Sequence, residues 1–183
     1  MNFYEQENNK TVLKTREIIR ELPEFCNEFF LDLNQNTLPK TRMGYAYDLR
    51  VFFNFLVTEN KDFLGRDIKS LTLDDLQKIK VVDINQFMDY LAYYVSDEDS
   101  QLYSNGENGK ARKLAAVRKL FKYFYRTEKI SSNPAELTIT PKRHEKEIVR
   151  LEPNEVAEML DVIENGSKMT SKQKEYYEKT KIR

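Results

Sequence analysis

The sequence predicts an all-α protein, a compact helical bundle followed by a linker and an isolated helix. Apolar residues recur every three or four positions through most of the 183 residues, which is the spacing of a helix with one buried face. Only five Gly and five Pro interrupt these segments, and no long polar–apolar alternation indicates a strand. Hydrophobic residues make up 40% and charged residues 33%, as in a globular domain rather than a disordered chain.

The first part of the chain holds an acidic helical block and a long helix. Residues 1–10 are polar and are expected to be frayed, and residues 11–33 are helical, net acidic and interrupted by Pro23. We interpret this block as a packing or partner surface. A long helix is predicted over residues 40–60, with Lys40, Thr41 and Arg42 at its amino end, where unpaired backbone N–H groups favour phosphate. Its apolar stripe consists of Tyr45, Leu49, Phe52, Phe53 and Leu56.

Two further helix starts follow in the middle of the chain. Thr72 and Asp75 are spaced as a capping box, which opens a short helix ending near Lys80. Another helix begins within residues 83–86, and residues 96–108 are interpreted as an acidic loop. The apolar stripe of this helix consists of Ile84, Phe87, Leu91 and Tyr94.

The segment from Gly109 to Arg126 separates positive charge from apolar residues. Between Lys110 and Lys129 there are eight Lys or Arg against one acid, although acids and bases number 30 each in the whole chain. The predicted buried stripe consists of Leu114, Val117, Phe121 and Phe124. The predicted exposed face consists of Arg112, Ala115, Lys119, Lys122 and Arg126. Such a face complements a polyanion, but Lys and Arg also solvate ordinary helix surfaces, and the charge pattern alone leaves both interpretations open.

The last part of the chain is predicted to be a linker, a helix and a polar tail. Residues 135–150 have no strong period and are interpreted as an extended, partly basic linker. A helix starts at Glu152 and Pro153 and stops at residues 165–166, and residues 167–183 are too polar to fold alone. The stripe of this helix consists of Val156, Met159, Leu160 and Ile163.

Several kinds of site are excluded by composition. One cysteine, Cys26, and one histidine, His144, make neither a disulfide framework nor the usual zinc site. There is no Gly-rich phosphate loop, no apolar run long enough to span a membrane and no signal-peptide pattern. We therefore expect a cytoplasmic protein with no metal, cofactor, membrane or small-molecule partner, and no active site in this chain.

Six short motifs then occur in a recognisable order. They are Thr41-x-x-x-Tyr45-x-x-Asp48-Leu49-x-x-Phe52, Asp83-Ile84-x-x-Phe87-x-x-Tyr90-Leu91, Arg112-x-Leu114-x-Ala116-Val117-Arg118-x-x-Phe121-x-x-Phe124, Asn133-Pro134, Pro141-Lys142 and Leu151-x-Pro153-x-Glu155-Val156-x-x-Met159-Leu160. Together they cover about residues 36–164 and resemble the amino-terminal half of the tyrosine recombinase (phage integrase, Xer-type) family.

The resemblance implies a domain organisation. Residues 1–10 are expected to be disordered, residues 11–134 to form a SAM-like core-binding domain, and residues 135–150 to link it to residues 151–183, the truncated start of a catalytic domain. The family's catalytic arginine in a Thr-Gly-x-Arg context does not occur, since Arg183 follows Lys-Thr-Lys-Ile. We therefore expect this chain to lack the catalytic residues. Gly109 stands where many relatives have Ser or Thr to cap the last DNA-facing helix.

The resemblance also implies a function. The core-binding domain forms half of a clamp around duplex DNA, two of its helices lie across the major groove, and protomers meet in a synaptic complex. The parent enzyme recombines and integrates DNA through a 3′-phosphotyrosine intermediate without metal or nucleotide. The expected DNA-binding residues, on two basic helix ends that should share one surface, are Lys40, Thr41, Arg42, Tyr45, Lys110, Arg112, Lys113, Lys119, Lys122 and Arg126. The alternative is a helical protein–protein interaction module with a solubilising basic face.

Overall fold

The computed structural model of the protein describes residues 3–95, 101–142, 150–165 and 169–180. Within these ranges the chain forms nine α-helices, a 3-10 turn at Ile68–Ser70 and a two-stranded hairpin, which confirms the all-α prediction. The chain divides into two units, Met1–Arg143 and His144–Arg183. In chain order the elements are α1 Phe3–Ile19, α2 Cys26–Asn36, α3 Pro39–Glu59, α4 Leu73–Lys78, α5 Val81–Tyr90, β1 Tyr94–Val95, β2 Leu102–Tyr103, α6 Glu107–Arg126, α7 Pro134–Leu137, α8 Pro153–Asn165 and α9 Ser171–Thr180.

Helix α1 begins earlier than the sequence predicts. Residues 3–10, expected to be frayed, form its first turns, and the helix packs along α3. Its buried face includes Thr11 and Thr15, and the Thr15 hydroxyl donates to the Thr11 carbonyl at 2.7 Å. Because these hydroxyls are satisfied within the helix, polar residues occupy a packed face that an apolar pattern does not detect.

Helix α3 lies at the centre of the first unit and packs against α1, α2, α5 and α6. Its predicted stripe is confirmed, with Tyr45 half-buried and the other four members fully buried. The ring of Phe52 lies 5.1 Å from that of Phe87 in α5 and 6.5 Å from that of Phe121 in α6. Burial of these rings fixes the position of α6 relative to α3. The same core encloses Cys26, whose thiol pKa is raised by burial.

The capping box predicted before α4 is present. The Asp75 Oδ2 atom accepts from the Thr72 backbone N–H at 3.0 Å, and the Thr72 hydroxyl accepts from the Asp75 N–H at 3.4 Å. Arg66 and Lys78 also contact the Asp75 carboxylate, at 2.9 Å and 3.1 Å. The Arg66 hydrogen bond, with help from Thr72 and Lys78, holds the pKa of Asp75 well below its usual range.

A short hairpin follows α5, and one strand of it lies within the predicted acidic loop. Tyr94, predicted on the apolar stripe of this helix, lies in β1 instead, because α5 ends at Tyr90. Tyr94 pairs with Tyr103 and Val95 with Leu102 in antiparallel register. The Tyr94 ring stacks between those of Tyr90 and Tyr103, at centroid distances of 5.1 Å and 5.7 Å. Two-residue strands are too short to show an alternating pattern, so the sequence did not reveal them. Residues 96–100 lie outside the described part of the chain.

The start of the predicted linker is packed rather than extended. Residues Pro134–Leu137 form α7, which contacts α5 and α6, and Pro134, Ala135 and Thr138 are buried. The remainder of that segment is described only at residues 139–142 and 150, and His144 lies outside the described residues.

The second unit contains α8 and α9. Helix α8 begins at Pro153, as predicted, and its Met159, Leu160 and Ile163 side chains are exposed. The tail, expected not to fold alone, contains α9, and the Tyr177 hydroxyl donates to the Glu164 carbonyl at 3.5 Å. Gly166, the predicted stop of α8, lies outside the described residues. Across the ranges the structure describes, no helix combines the length and apolar character needed to cross a membrane.

Candidate nucleic-acid interface

Helix α6 separates its apolar and cationic residues as predicted. Leu114, Val117, Phe121 and Phe124 are completely buried. The predicted exposed residues all face solvent and follow one another at steps of three and four, so they form one continuous stripe. We call this the α6 basic stripe, and it consists of Arg112, Ala115, Lys119, Lys122 and Arg126.

The amino end of α6 differs from the prediction. The helix begins two residues before Gly109, and its N-cap is Gly106, with no side-chain hydrogen bond at the cap. Gly109 therefore lies within the first turn, and its role is not to replace a capping side chain. A Cβ atom at Gly109 would lie 2.9 Å from Asn105 Oδ1. The glycine makes room for the Asn105 side chain to lie against the helix.

Lys113 does not belong to the exposed surface. Only 8% of its side chain is exposed, and its Nζ atom donates to Asn105 Oδ1 at 2.9 Å. The Asn105 side chain in turn donates to the Leu91 carbonyl at 3.0 Å, which ties α6 to the end of α5. Burial lowers the pKa of Lys113, while the nearby Asp48 carboxylate opposes this shift. The ammonium group is therefore used inside the fold, which corrects its placement among surface contacts.

Asp48 of α3 connects the buried and exposed cations of α6. Its Oδ1 atom accepts from Arg112 Nη2 at 3.0 Å and lies 3.9 Å from Lys113 Nζ. The Asp48 side chain is 2% exposed and that of Arg112 is 64% exposed. Burial raises the pKa of Asp48, and the charges of Arg112 and Lys113 act in the opposite direction. This ion pair joins the middle of α3 to the first turns of α6.

The amino end of α3 holds the other predicted DNA-binding residues, and their side chains lie on different sides of the helix. Lys40 and Thr41 are exposed, and Tyr45 is half-buried against the core. Thr41 and Tyr45 precede Asp48 by seven and three positions, so they share its side of the helix and lie towards Arg112. No side chain caps the helix at Leu38, so neither Thr37 nor Thr41 acts as the cap.

Arg42 lies on another side of α3. Its Nη1 atom donates to the Thr37 carbonyl at 2.6 Å, and the side chain is half-buried. It lines a groove between α1 and α2 with Arg16 and Arg20. Of the ten predicted residues, Thr41 and Tyr45 share the side of α3 that carries Asp48, the partner of Arg112, whereas Arg42 and Lys113 are engaged elsewhere. Lys110 is half-buried in the first turn of α6.

Comparison with curated proteins shows what this arrangement is similar to. The tyrosine recombinase XerC of Caldanaerobacter subterraneus subsp. tengcongensis is 32% identical over 154 residues, which are 80% of this chain and 41% of that protein. The XerC of Chlorobaculum parvum is 33% identical over 130 residues, 71% of this chain and 34% of that protein. The XerC of Pelobacter propionicus is 28% identical over 131 residues, 72% of this chain and 37% of that protein.

The chain is related to the tyrosine recombinases. It spans between 34% and 41% of the length of these three relatives. No protein-family model matches the chain, and no solved structure matches it at a significant level.

In this chain, Arg118 is a structural residue whose role the sequence did not reveal. Its Nε atom donates to the Ala135 carbonyl at 3.0 Å and its Nη1 atom to the Thr140 hydroxyl at 2.6 Å, while Nη2 donates to the Thr138 carbonyl. One guanidinium therefore fixes the segment after α7 to α6. Arg118 does occur in the motif around residues 116–118. The charge pattern alone, however, does not distinguish an arginine that bonds to its own chain from an arginine on the surface.

The carboxyl end of α6 is fastened to α2 by the acidic block. The Tyr123 hydroxyl donates to Glu28 Oε1 at 3.0 Å, and Lys129 pairs with the other oxygen of Glu28. Arg126 Nη2 lies 3.3 Å from Asp32 Oδ1, and both side chains remain at least partly exposed. Part of the acidic charge in residues 11–33 is thus paired with cations at, and just beyond, the carboxyl end of α6.

Proposed function

We propose that this chain binds duplex DNA through the α6 basic stripe, with Lys40 and Thr41 of α3 beside it. The observation that carries this function is the alignment of four exposed cations on one helix face, separated by the small residue Ala115. From Arg112 to Arg126 the stripe extends about 21 Å along the helix axis. Cations at this spacing can neutralise several phosphates, and a small residue between them permits close approach of the helix to the duplex.

The family relationship supports the same function. The relatives bear the name tyrosine recombinase, and we propose that this chain serves as the core-binding part of such a protein, holding half of a clamp around the recombination site. Strand cleavage and rejoining through a 3′-phosphotyrosine would then be supplied by a catalytic part of the recombinase type. The sequence encoded beyond Arg183 tests this extension, because a Thr-Gly-x-Arg motif is expected there.

Within this proposal the residues have different roles. Arg112, Lys119, Lys122 and Arg126 contact phosphates, and Thr41 and Tyr45 lie close to the sugar-phosphate backbone. Lys113 does not contact DNA in this proposal, because its ammonium group donates a hydrogen bond to Asn105 inside the fold. Arg42 does not contact DNA in this proposal either, because its guanidinium donates a hydrogen bond to the Thr37 carbonyl. Phe52 and Phe121 keep α3 and α6 in a fixed relation.

The salt dependence of binding tests the function. Fluorescence anisotropy with a labelled duplex should show an affinity whose logarithm falls with the logarithm of salt concentration, with a slope of about −4 for four neutralised phosphates. A combined Lys119→Glu and Lys122→Glu variant should bind roughly tenfold or more weakly, with a shallower slope.

A matched control is available on the same unit. Lys61→Glu combined with Lys69→Glu makes the same change in charge outside α3 and α6, and Lys61 and Lys69 are exposed. This control should retain most of the affinity. Equal losses in the two double variants would mean that only total charge matters, and the absence of salt-dependent binding in the unaltered protein would refute DNA binding and favour a protein-interaction module.

A further inference from the structure

We propose that Asp48 competes with the DNA backbone for Arg112, so that Arg112 exchanges the Asp48 carboxylate for a phosphate when DNA binds. This inference rests on the proposed function and assigns Asp48 a positioning role in it. Arg112 is the member of the α6 basic stripe whose carboxylate partner is buried: its Nη2 atom donates to Asp48 Oδ1 at 3.0 Å, while most of the arginine side chain is in solvent.

The Arg112–Asp48 ion pair is suited to exchange because one hydrogen bond joins the two side chains. Arg112 contacts only one carboxylate oxygen, and the other, Asp48 Oδ2, is buried with no hydrogen-bond partner in the described part of the chain. A guanidinium has five N–H donors in a fork that fits two oxygens of a phosphate. DNA therefore offers Arg112 a bidentate contact that Asp48 does not provide in this geometry.

Lys113 makes the departure of Arg112 possible. A buried carboxylate that loses its only cation carries a large desolvation penalty. Here a second cation remains, because Lys113 Nζ lies 3.9 Å from the same Oδ1 atom. Asn105 accepts from Lys113 at 2.9 Å, and Gly109 leaves the space that Asn105 occupies. The ammonium is thus fixed in place whether Arg112 points to Asp48 or to DNA.

The other guanidiniums of α6 do not share this arrangement. Arg126 pairs with Asp32, whose side chain is 39% exposed, so water stabilises that carboxylate when the pair opens. Arg118 is occupied by the Ala135 carbonyl and its neighbours after α7. The exchange is therefore specific to Arg112, at the point where α3 and α6 meet.

A charge-neutral variant tests the exchange. Asp48→Asn combined with Lys113→Met removes one negative and one positive charge, so the net charge of the protein does not change. It releases Arg112 from its carboxylate, and duplex affinity measured by anisotropy should rise about two- to fivefold, the range expected for opening one partly exposed ion pair. Lys61→Met combined with Asp62→Asn is the matched neutral control on the loop after α3, and its affinity should equal that of the unaltered protein.

Removing Arg112 decides whether the gain acts through this residue. Arg112→Gln should weaken duplex binding. Adding Asp48→Asn and Lys113→Met to Arg112→Gln should not raise the duplex affinity. A gain that persists without Arg112, or a charge-neutral variant that binds no more tightly than the unaltered protein, would overturn the exchange while leaving salt-dependent DNA binding intact. Absence of DNA binding by the unaltered protein would overturn both the exchange and the proposed DNA-binding function.

A second measurement needs no change at Asp48. In protein labelled with ¹³C at aspartate, the Asp48 carboxyl resonance should shift when duplex DNA is added, because the Arg112 hydrogen bond is lost. The resonance should stay in place in Arg112→Gln. An Asp48 signal that does not respond to saturating DNA in the unaltered protein would show that Arg112 keeps its carboxylate, which contradicts the exchange.

Discussion

Adjacent residues of α6 show how position on a helix decides what a cation does. A step of one residue turns the helix by about 100°, and this takes Arg112 to the solvent and Lys113 into the interior. A sequence pattern treats both as polar surface, because Lys is rarely buried. The oxygens that stabilise the Lys113 ammonium come from Asp48 and Asn105, which lie on other elements and are invisible to a local pattern.

Alanine substitutions at two helical glycines should have opposite effects on stability. A Cβ atom added at Gly44 in α3 would meet nothing within 4 Å, so Gly44→Ala should stabilise the protein by about 0.5–1 kcal/mol. Gly109→Ala places its Cβ 2.9 Å from Asn105 Oδ1 and should displace the acceptor of Lys113, for a net loss of about 1 kcal/mol. Urea unfolding followed by circular dichroism measures both, and stabilisation by Gly109→Ala would contradict a structural role for the Asn105–Lys113 bond.

Asp75 should make stability depend on pH. Its pKa in the folded protein is held below the unfolded value, so the stability that it contributes is fully present above its ordinary pKa of about 4 and is lost as the pH falls below that value. Asp75→Asn should therefore destabilise the protein at neutral pH by about 1 kcal/mol, typical for loss of a cap, and the difference should shrink in acid. Asp74→Asn, at an exposed neighbour, is the control and should show a smaller and flatter effect across the same unfolding series.

At the scale of elements, helices with a long apolar stripe or a capping box were predictable, and the shortest elements without either signal were not. The stripes of α3 and α6 repeat over several turns, so the period is unambiguous, and the buried residues agree with it. Helix α7 has four residues and the strands β1 and β2 two each, and these lengths are too short to carry a period. Their positions depend on tertiary contacts, namely Arg118 for the segment after α7 and the Tyr94 ring stack for the hairpin.

Arg118 should control whether the segment after α7 stays on α6. In Arg118→Lys the charge is kept but the fork that reaches Ala135, Thr138 and Thr140 is lost. Hydrogen exchange of the amides in residues 135–142 should accelerate, while exchange in α3 stays slow. Lys119→Ala, at the exposed neighbouring position, is the control and should leave this segment protected; unchanged exchange in Arg118→Lys would show that α7 packing alone holds the segment.

At the scale of the whole molecule, the distribution of charge is more informative than its total. The chain has zero formal net charge, yet the structure gathers exposed cations on one face of α6. It pairs the first and last of these cations with Asp48 and Asp32, and it pairs Lys129 with Glu28. The order of motifs was enough to indicate the family, and the three longest motifs of the first unit fall on α3, α5 and α6. Which cations remain available for a partner required the tertiary pairing, since those acids are distant in sequence.

The buried thiol of Cys26 gives this chain a built-in probe of core opening. It is the single cysteine, it is completely shielded from solvent, and burial raises its pKa, so the reactive thiolate is suppressed in the native state. Cys26 begins α2 and belongs to the same core as α3 and α6. Alkylation of this thiol consequently requires separation of the helices that hold the α6 basic stripe in place, and its rate reports that separation in the unaltered protein.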